Sequence, residues 1–280
     1  DLVVVLLNML PEKIDMYNRF DHFQRCHGHE IKALLQTAEY RPIDTWKKLM
    51  PVVMQMTSNC PESKFDSSIE QWKFERDSHK TLERCSVEML IQAGRSIAEH
   101  DPVLFIDLTR DCETNLSPVV QEILIESYSA IEHTFADNAI EWLLADLNRF
   151  QLGNGETKVV WAPAMRLLES LSAYCSPLIF NKLEDAIINY HDPDELDHAK
   201  YCLPLWKDGY SGDYWGRCQY HLLPSLASDR RKDTTNALIR VLERKFACYN
   251  KQRFLLGAEF KGGFVGSPLD KNIACIKDKT

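Results

Sequence analysis

From about residue 30 onward the apolar positions recur at intervals of three and four, the spacing of one helix face and not the alternation of a strand. Leu82, Cys85, Met89, Ala93 and Ile97 draw one stripe. Leu116, Val120, Ile123, Leu124 and Ile131 draw a second, and Phe135, Ala139, Leu143 and Leu147 a third. Further stripes run through Leu167, Leu168 and Leu171, through Ile179, Phe180, Leu183 and Ile187, through Trp215, Cys218, Leu222 and Leu226, and through Leu238, Val241, Leu242 and Phe246. The pattern predicts an all-α chain.

Polar punctuation separates the stripes. Asp101-Pro102, Ser117-Pro118, Ser176-Pro177 and Asp192-Pro193 each set an N-cap oxygen before a proline suited to the first helical turn. Glu195, three residues beyond Asp192, adds a capping-box spacing. Helices of about 12 to 18 residues, close to the usual globular length, are expected as pairs at 101–133, 135–174, 176–205 and 214–247. A period of about 30 to 40 residues suits an irregular α-solenoid of antiparallel helix pairs, HEAT-like or TPR-like, although the TPR consensus is absent. In this reading residues 1–100 form an N-terminal helical segment of the array and residues 101–280 its helical-repeat region. Loops are expected from Cys60-Pro61 to Ser68, at Gly153-Asn154-Gly155 and at Gly209-Tyr210-Ser211-Gly212.

Composition narrows the class. A chain of 280 residues with 45% hydrophobic and 26% charged content is ordinary for a globular protein. A formal net charge of -8 argues against a direct nucleic-acid binder, which displays excess Lys and Arg. The nine cysteines are spread along the chain without a C-x-x-C pair, as expected of small core residues in a reducing cytoplasm. The run Leu2 to Leu7 is cut short by Asn8 and Pro11, far below the roughly 20 residues a membrane span requires. A cytoplasmic chain that does not enter a membrane is expected. Opening at Asp1 with no initiator Met, it is read as a fragment of a longer protein, truncated at both ends.

Two stretches carry ligand-type residues. The segment 20–30 holds His22, Cys26, His27, His29 and Glu30. A structural zinc site needs four ligands, commonly from two separated pairs, and His22 with Cys26 would supply one pair if the segment were helical. Gly28 argues against a continuous helix and no matching distant pair exists, so the preferred reading is a polar connector before a helix starting near Glu30. The acidic stretch His191 to His198 is read as the capped start of a solvated helix in preference to a divalent-metal site. The phosphate-loop, dinucleotide, nucleophile-elbow and zincin motifs are all absent from the sequence, and no catalytic residue is assigned. The aromatics Trp206, Tyr210, Tyr214 and Trp215 flank the stretch Lys207 to Asp213, and such residues dominate protein interfaces. Trp215 is read as core.

The segments Ala136-Asp137-Asn138-Ala139-Ile140-Glu141-Trp142-Leu143-Leu144, Phe150 to Gly153, Trp161 to Ala164 and Ser176-Pro177 to Glu184 resemble the C-terminal helical arrays of bacterial antiviral STAND NTPases, the AVAST-like defence proteins. So do Gly216 to Leu223, Leu242 to Phe246 and, most specifically, Gly262-Gly263-Phe264-Val265-Gly266-Ser267-Pro268-Leu269. The resemblance covers roughly residues 100 to 280; residues 1 to 100 match less clearly. A Trp that often follows a Lys-Asp stretch in that family has no counterpart after Lys277-Asp278. The resemblance implies a non-catalytic sensor that binds a phage protein, the large terminase or the portal, and so triggers homo-oligomerisation of the parent and activation of its effector. ATP and Mg would belong to a separate NTPase domain, and no cofactor is expected in this chain. Trp206, Tyr210, Tyr214 and Arg217 are the expected protein-contact residues. The alternatives are a helical-repeat scaffold for host proteins or for other domains of its own parent, and a metalloenzyme built on the segment 22–30.

Overall fold

The computed structural model describes residues 25–26, 28–58, 80–153, 160–191 and 215–246. Their regular structure is helical apart from one antiparallel pair of two-residue strands, β1 (Arg25–Cys26) and β2 (Lys80–Thr81), in which Arg25 faces Thr81 and Cys26 faces Lys80. The helices are α1 (Gly28–Tyr40), α2 (Pro42–Ser58), α3 (Leu82–His100), α4 (Pro102–Thr109), α5 (Pro118–Tyr128), α6 (Ala136–Ala145), α7 (Ala162–Leu171), α8 (Pro177–Asn189), α9 (Arg217–Leu222) and α10 (Asp233–Lys245). Short 3-10 turns occupy His133–Phe135, Leu147–Gln151 and Leu223–Ser225.

The starts of α4 and α8 follow the cap-proline pattern. Asp101 Oδ1 accepts from the Leu104 amide at 3.0 Å, and Ser176 Oγ accepts from the Ile179 amide at 3.5 Å, each satisfying one of the free N–H groups of a first turn. Ser117 departs from expectation. Its hydroxyl makes no cap bond, and its own amide is taken at 2.8 Å by Asn115 Oδ1. The helices are also shorter than expected: α4, α6 and α7 have 8, 10 and 10 residues and α9 only 6. The longest is α3, with 19. Pro51 lies inside α2, where it removes one backbone donor without ending the helix. Asp192-Pro193 and Glu195 and the loops expected at Cys60 to Ser68 and Gly209 to Gly212 lie outside the described residues, as do Asn154 and Gly155.

Packing follows a simple order. Helix α3 lies against α1, α2, α4 and α5; α5 continues onto α7, and α7 onto α9. On the other layer α6 lies against α8. The stripes read from the sequence form the buried faces: Cys85, Met89, Ala93 and Ile97 of α3, Leu167, Leu168 and Leu171 of α7, and Ile179, Phe180, Leu183 and Ile187 of α8 are all buried. Cys85, Cys112, Cys175 and Cys218 are buried free thiols, in line with a core role. Three stripe positions are exposed. Leu116 is 78% exposed because it precedes the helix, Val241 is 58% exposed on the outer side of α10, and Trp215 is 44% exposed ahead of α9.

A chain of rings crosses the layers. Trp46 meets Phe105 edge-on with centroids 6.0 Å apart, Phe105 meets Tyr128 edge-on at 5.0 Å, and Tyr128 stacks on Trp142 at 4.9 Å. Each such pair adds about 0.5 to 1.5 kcal/mol beyond the area it buries. The chain therefore ties α2, α4, α5 and α6 together. Arg149 closes it, with its guanidinium 4.2 Å above Trp142 and bonds donated to Gln121 Oε1 at 2.7 Å, to the Glu113 carbonyl at 3.0 Å and to the Trp142 carbonyl. At Gly94 α3 and α5 come so close that an added Cβ would lie 2.8 Å from Ser127 Cβ and 2.6 Å from Trp46 Cζ3.

Candidate protein-contact edge

Polar side chains cross-link successive helices of each layer and so fix where the turns between helices sit. Arg84 of α3 donates to Glu122 of α5 at 2.9 Å, with Glu88 3.5 Å away, and both Arg84 and Glu122 are buried. Four residues further along α5, Glu126 pairs with Arg166 of α7. Glu169 of α7 accepts from Ser225 at 3.1 Å. On the other layer Asp137 of α6 accepts the Ser176 amide at 2.6 Å, and Glu184 of α8 accepts the Lys232 amide at 2.9 Å. An acidic side chain of one helix thus holds the backbone at the start of the next helix in its layer.

The consequence is an edge built from consecutive turns. Tyr40 and Ile43 of the α1–α2 turn, His100 and Asp101 of the α3–α4 turn, and Ser129 and Ala130 after α5 line one cleft. His133, just before α6, stacks its ring on Tyr174 of the α7–α8 turn at 3.5 Å with an interplanar angle of 8°. From the α9–α10 turn, the Ala227 amide donates to Ser172 Oγ at 2.9 Å and Arg230 donates to the Ser172 carbonyl at 2.8 Å. Each turn touches the next.

This edge gathers apolar surface. Among the described residues eight large apolar side chains are exposed, and Tyr40, Ile43, Val103, Tyr174 and Leu178 belong to it; Leu116, Trp215 and Val241 do not. Val103 and Leu178 are each the second residue of a helix that opens with a capped proline. Concentrated apolar and aromatic exposure marks interaction surface where isolated exposed residues do not. The cleft at the α1 end has a volume of about 890 Å³.

Burial, with some help from Asp111 and Glu113, pushes the Cys112 thiol up to about 11, which leaves it protonated at neutral pH. Burial, and then the hydrogen bond to Glu113, raises the Tyr128 phenol, and burial lowers the Arg149 guanidinium. At the edge itself, the hydrogen bond to Asp185 raises the Lys232 ammonium above its ordinary value.

Of the contact residues expected from sequence, Arg217 is the first residue of α9 and half-buried, its guanidinium 5.7 Å above the Trp161 ring. Trp206, Tyr210 and Tyr214 lie outside the described residues. Trp215 stacks on His191 at 4.5 Å, so the residue read as core is a partly exposed cover over the end of α8. The ligand-type segment is divided: Cys26 is in β1 and His29 in α1, whereas His22 and His27 lie outside the described residues. The backbone at Cys26 is extended and the helix begins two residues later, at Gly28. Among the described residues no group of three or more His, Cys, Asp or Glu side chains could hold a metal ion, and no helix is long and apolar enough to cross a membrane.

The edge residues Tyr40, Ile43, Val103, Tyr174 and Leu178 were not singled out from sequence. The available signal was their position: each is a large apolar residue at a helix boundary, beside a proline or a turn, and outside the stripe of its own helix. The chain matches no protein-family model, no curated protein and no solved structure.

Proposed function

We propose that the chain is a non-catalytic recognition module, an irregular α-solenoid of antiparallel helix pairs that serves as the sensor region of an antiviral STAND NTPase. Its partner in this reading is a phage protein, the large terminase or the portal. The observation that carries the reading is the packing of alternate helices, α3 on α5 on α7 on α9, with α6 on α8 in the second layer. Such nearest-neighbour stacking is how repeat arrays create extended surfaces for protein partners. The segments that resemble the family fall on consecutive elements: Ala136 to Leu144 on α6, Trp161 to Ala164 at the start of α7, Ser176 to Glu184 on α8, Gly216 to Leu223 on α9 and Leu242 to Phe246 at the end of α10.

In this reading the chain acts in the bacterial cytoplasm. Binding of the phage protein drives homo-oligomerisation of the parent, and a separate NTPase domain holds ATP and Mg. The test is co-elution of the NTPase-containing parent, with ATP present, against purified phage large terminases and portal proteins. A stable complex with one class is expected. Failure with every candidate, in a parent shown to bind ATP, would shift the assignment to a helical scaffold for host proteins or for other domains of its own parent.

A further inference from the structure

We infer that the cleft between the α1–α2 turn and the α3–α4 turn is a docking groove for a basic, apolar-bearing peptide segment of a protein partner. The inference rests on the recognition reading above and places one contact site within it. The groove, of about 890 Å³, has room for more than one large side chain, within the usual range of ligand pockets of about 300 to 1,000 Å³.

Its chemistry is selective. Tyr40 is 83% exposed and Ile43 39% exposed, so the groove offers an aromatic ring and a branched aliphatic side chain to whatever enters. Its walls carry the carboxylates Glu39, Glu99 and Asp101 against the one guanidinium of Arg95, a formal balance of -2 with His100 neutral. Asp101 is engaged as the cap of α4. Glu39 and Glu99 are exposed and make no ion pair among the described residues. Apolar side chains beside uncompensated carboxylates complement a segment in which Lys or Arg flanks an apolar residue, and repel phosphate backbones and acidic peptides.

The probe is a short fluorescein-labelled peptide in which lysines flank leucine and tryptophan, titrated with the full 280-residue chain and followed by fluorescence anisotropy at physiological ionic strength. Companion peptides replace the lysines by glutamate, or the leucine and tryptophan by serine. Binding of the first peptide and loss of binding in both companions is expected. Glu39→Lys with Glu99→Lys should weaken binding about tenfold, the size expected from reversing two partly screened contacts. Glu141→Lys with Glu243→Lys changes the net charge equally at exposed positions on α6 and α10 and should leave affinity within about twofold, because charges beyond a Debye length are screened. Tyr40→Ser with Ile43→Ser should weaken binding at unchanged charge, and an unchanged circular dichroism spectrum verifies that each variant folds. No binding of the lysine peptide, or equal loss in both charge-reversed pairs, overturns the groove. Co-elution of the parent with a phage protein decides the recognition reading separately.

Discussion

Helices α5 and α10 are of similar length, 11 and 13 residues, but the structure treats them differently. Every residue of α5 from Val119 to Tyr128 is buried, including Gln121, Glu122, Glu126 and Ser127. In α10 only Thr235, Ile239 and Leu242 are buried. Helix α5 stands between α3 and α7 and is enclosed from both sides, whereas α10 lies against α9 and the Leu223–Ser225 turn. An amphipathic pattern describes a helix with one covered face. It understates burial where a second neighbour arrives, and there the polar face must be satisfied by side chains from elsewhere in the chain.

The largest expected effect comes from breaking that satisfaction. Arg84 and Glu122 are 3% and 5% exposed, so Glu122→Ala takes away the carboxylate that a guanidinium in the interior bonds at 2.9 Å. Loss of about 3 to 5 kcal/mol in urea unfolding is expected, as for other buried pairs broken on one side. Replacing both partners by apolar residues, Arg84→Met with Glu122→Leu, should recover most of it, since the uncompensated charge goes with them. Arg240→Ala on α10, an exposed site, should change stability by less than about 0.5 kcal/mol. A loss below about 1 kcal/mol for Glu122→Ala would mean that water reaches this pair, and the contrast between the two helices would fail.

A second prediction probes the close approach that encloses α5. Gly94→Ala would press a methyl group against Ser127 of α5 and Trp46 of α2, both in the packed interior. Neither neighbour is the free end of a flexible chain, so α3 and α5 must separate or a side chain must leave its rotamer. A cost of about 1 to 3 kcal/mol is expected, the usual price of overpacking a core. Thermal melting compared with Gly94→Ser, which should be worse, would check the sign.

How far the sequence discloses this arrangement depends on where a residue's partner comes from. The stripes of α3, α7 and α8 were legible because periodicity is local and the covering face is one-sided. The burial of Glu122 and Glu126 was not, because the arginines that neutralise them stand 38 and 40 residues away. Leu116 and Val241 satisfied the spacing of a stripe and still point to solvent, since spacing does not tell which end of a stripe has a neighbour to meet. The same limit applies to the contact surface. Aromatic residues around 206–215 drew attention by composition, whereas the edge from Tyr40 to Leu178 exists only because turns distant in sequence lie side by side.

Helix starts offer a smaller test, between two sites that look alike in sequence. Asp101 and Ser117 both precede proline, but only Asp101 caps its helix. Asp101→Ala should cost about 1 kcal/mol, the typical worth of an N-cap. Ser117→Ala removes a buried hydroxyl that has no partner in the described structure, so the change should be neutral or slightly stabilising, within about 0.5 kcal/mol. Parallel chemical denaturation of both variants would separate them. Equal losses would show that Ser117 caps α5 in solution.

The smallest effect is expected at Val241, and it bears most directly on the outer face of α10. Val241 is 58% exposed and its neighbour Leu242 is 6% exposed, so one step along the chain crosses from solvent to core. Leu242 packs close to Gly216, whose φ of 89° sets the entry to α9, so Leu242→Ala would both open a cavity and loosen that entry. Val241→Ser removes only surface that is already wet, and exchanges one β-branched or hydroxylated residue of modest helix propensity for another, so stability should stay within about 0.5 kcal/mol. If urea unfolding of Val241→Ser instead shows a loss comparable to that of Leu242→Ala, the outer face of α10 is covered in solution. Helix α10 would then resemble α5, an interior helix with neighbours on both sides, and a concentration-dependent loss would identify a second copy of the chain as the cover.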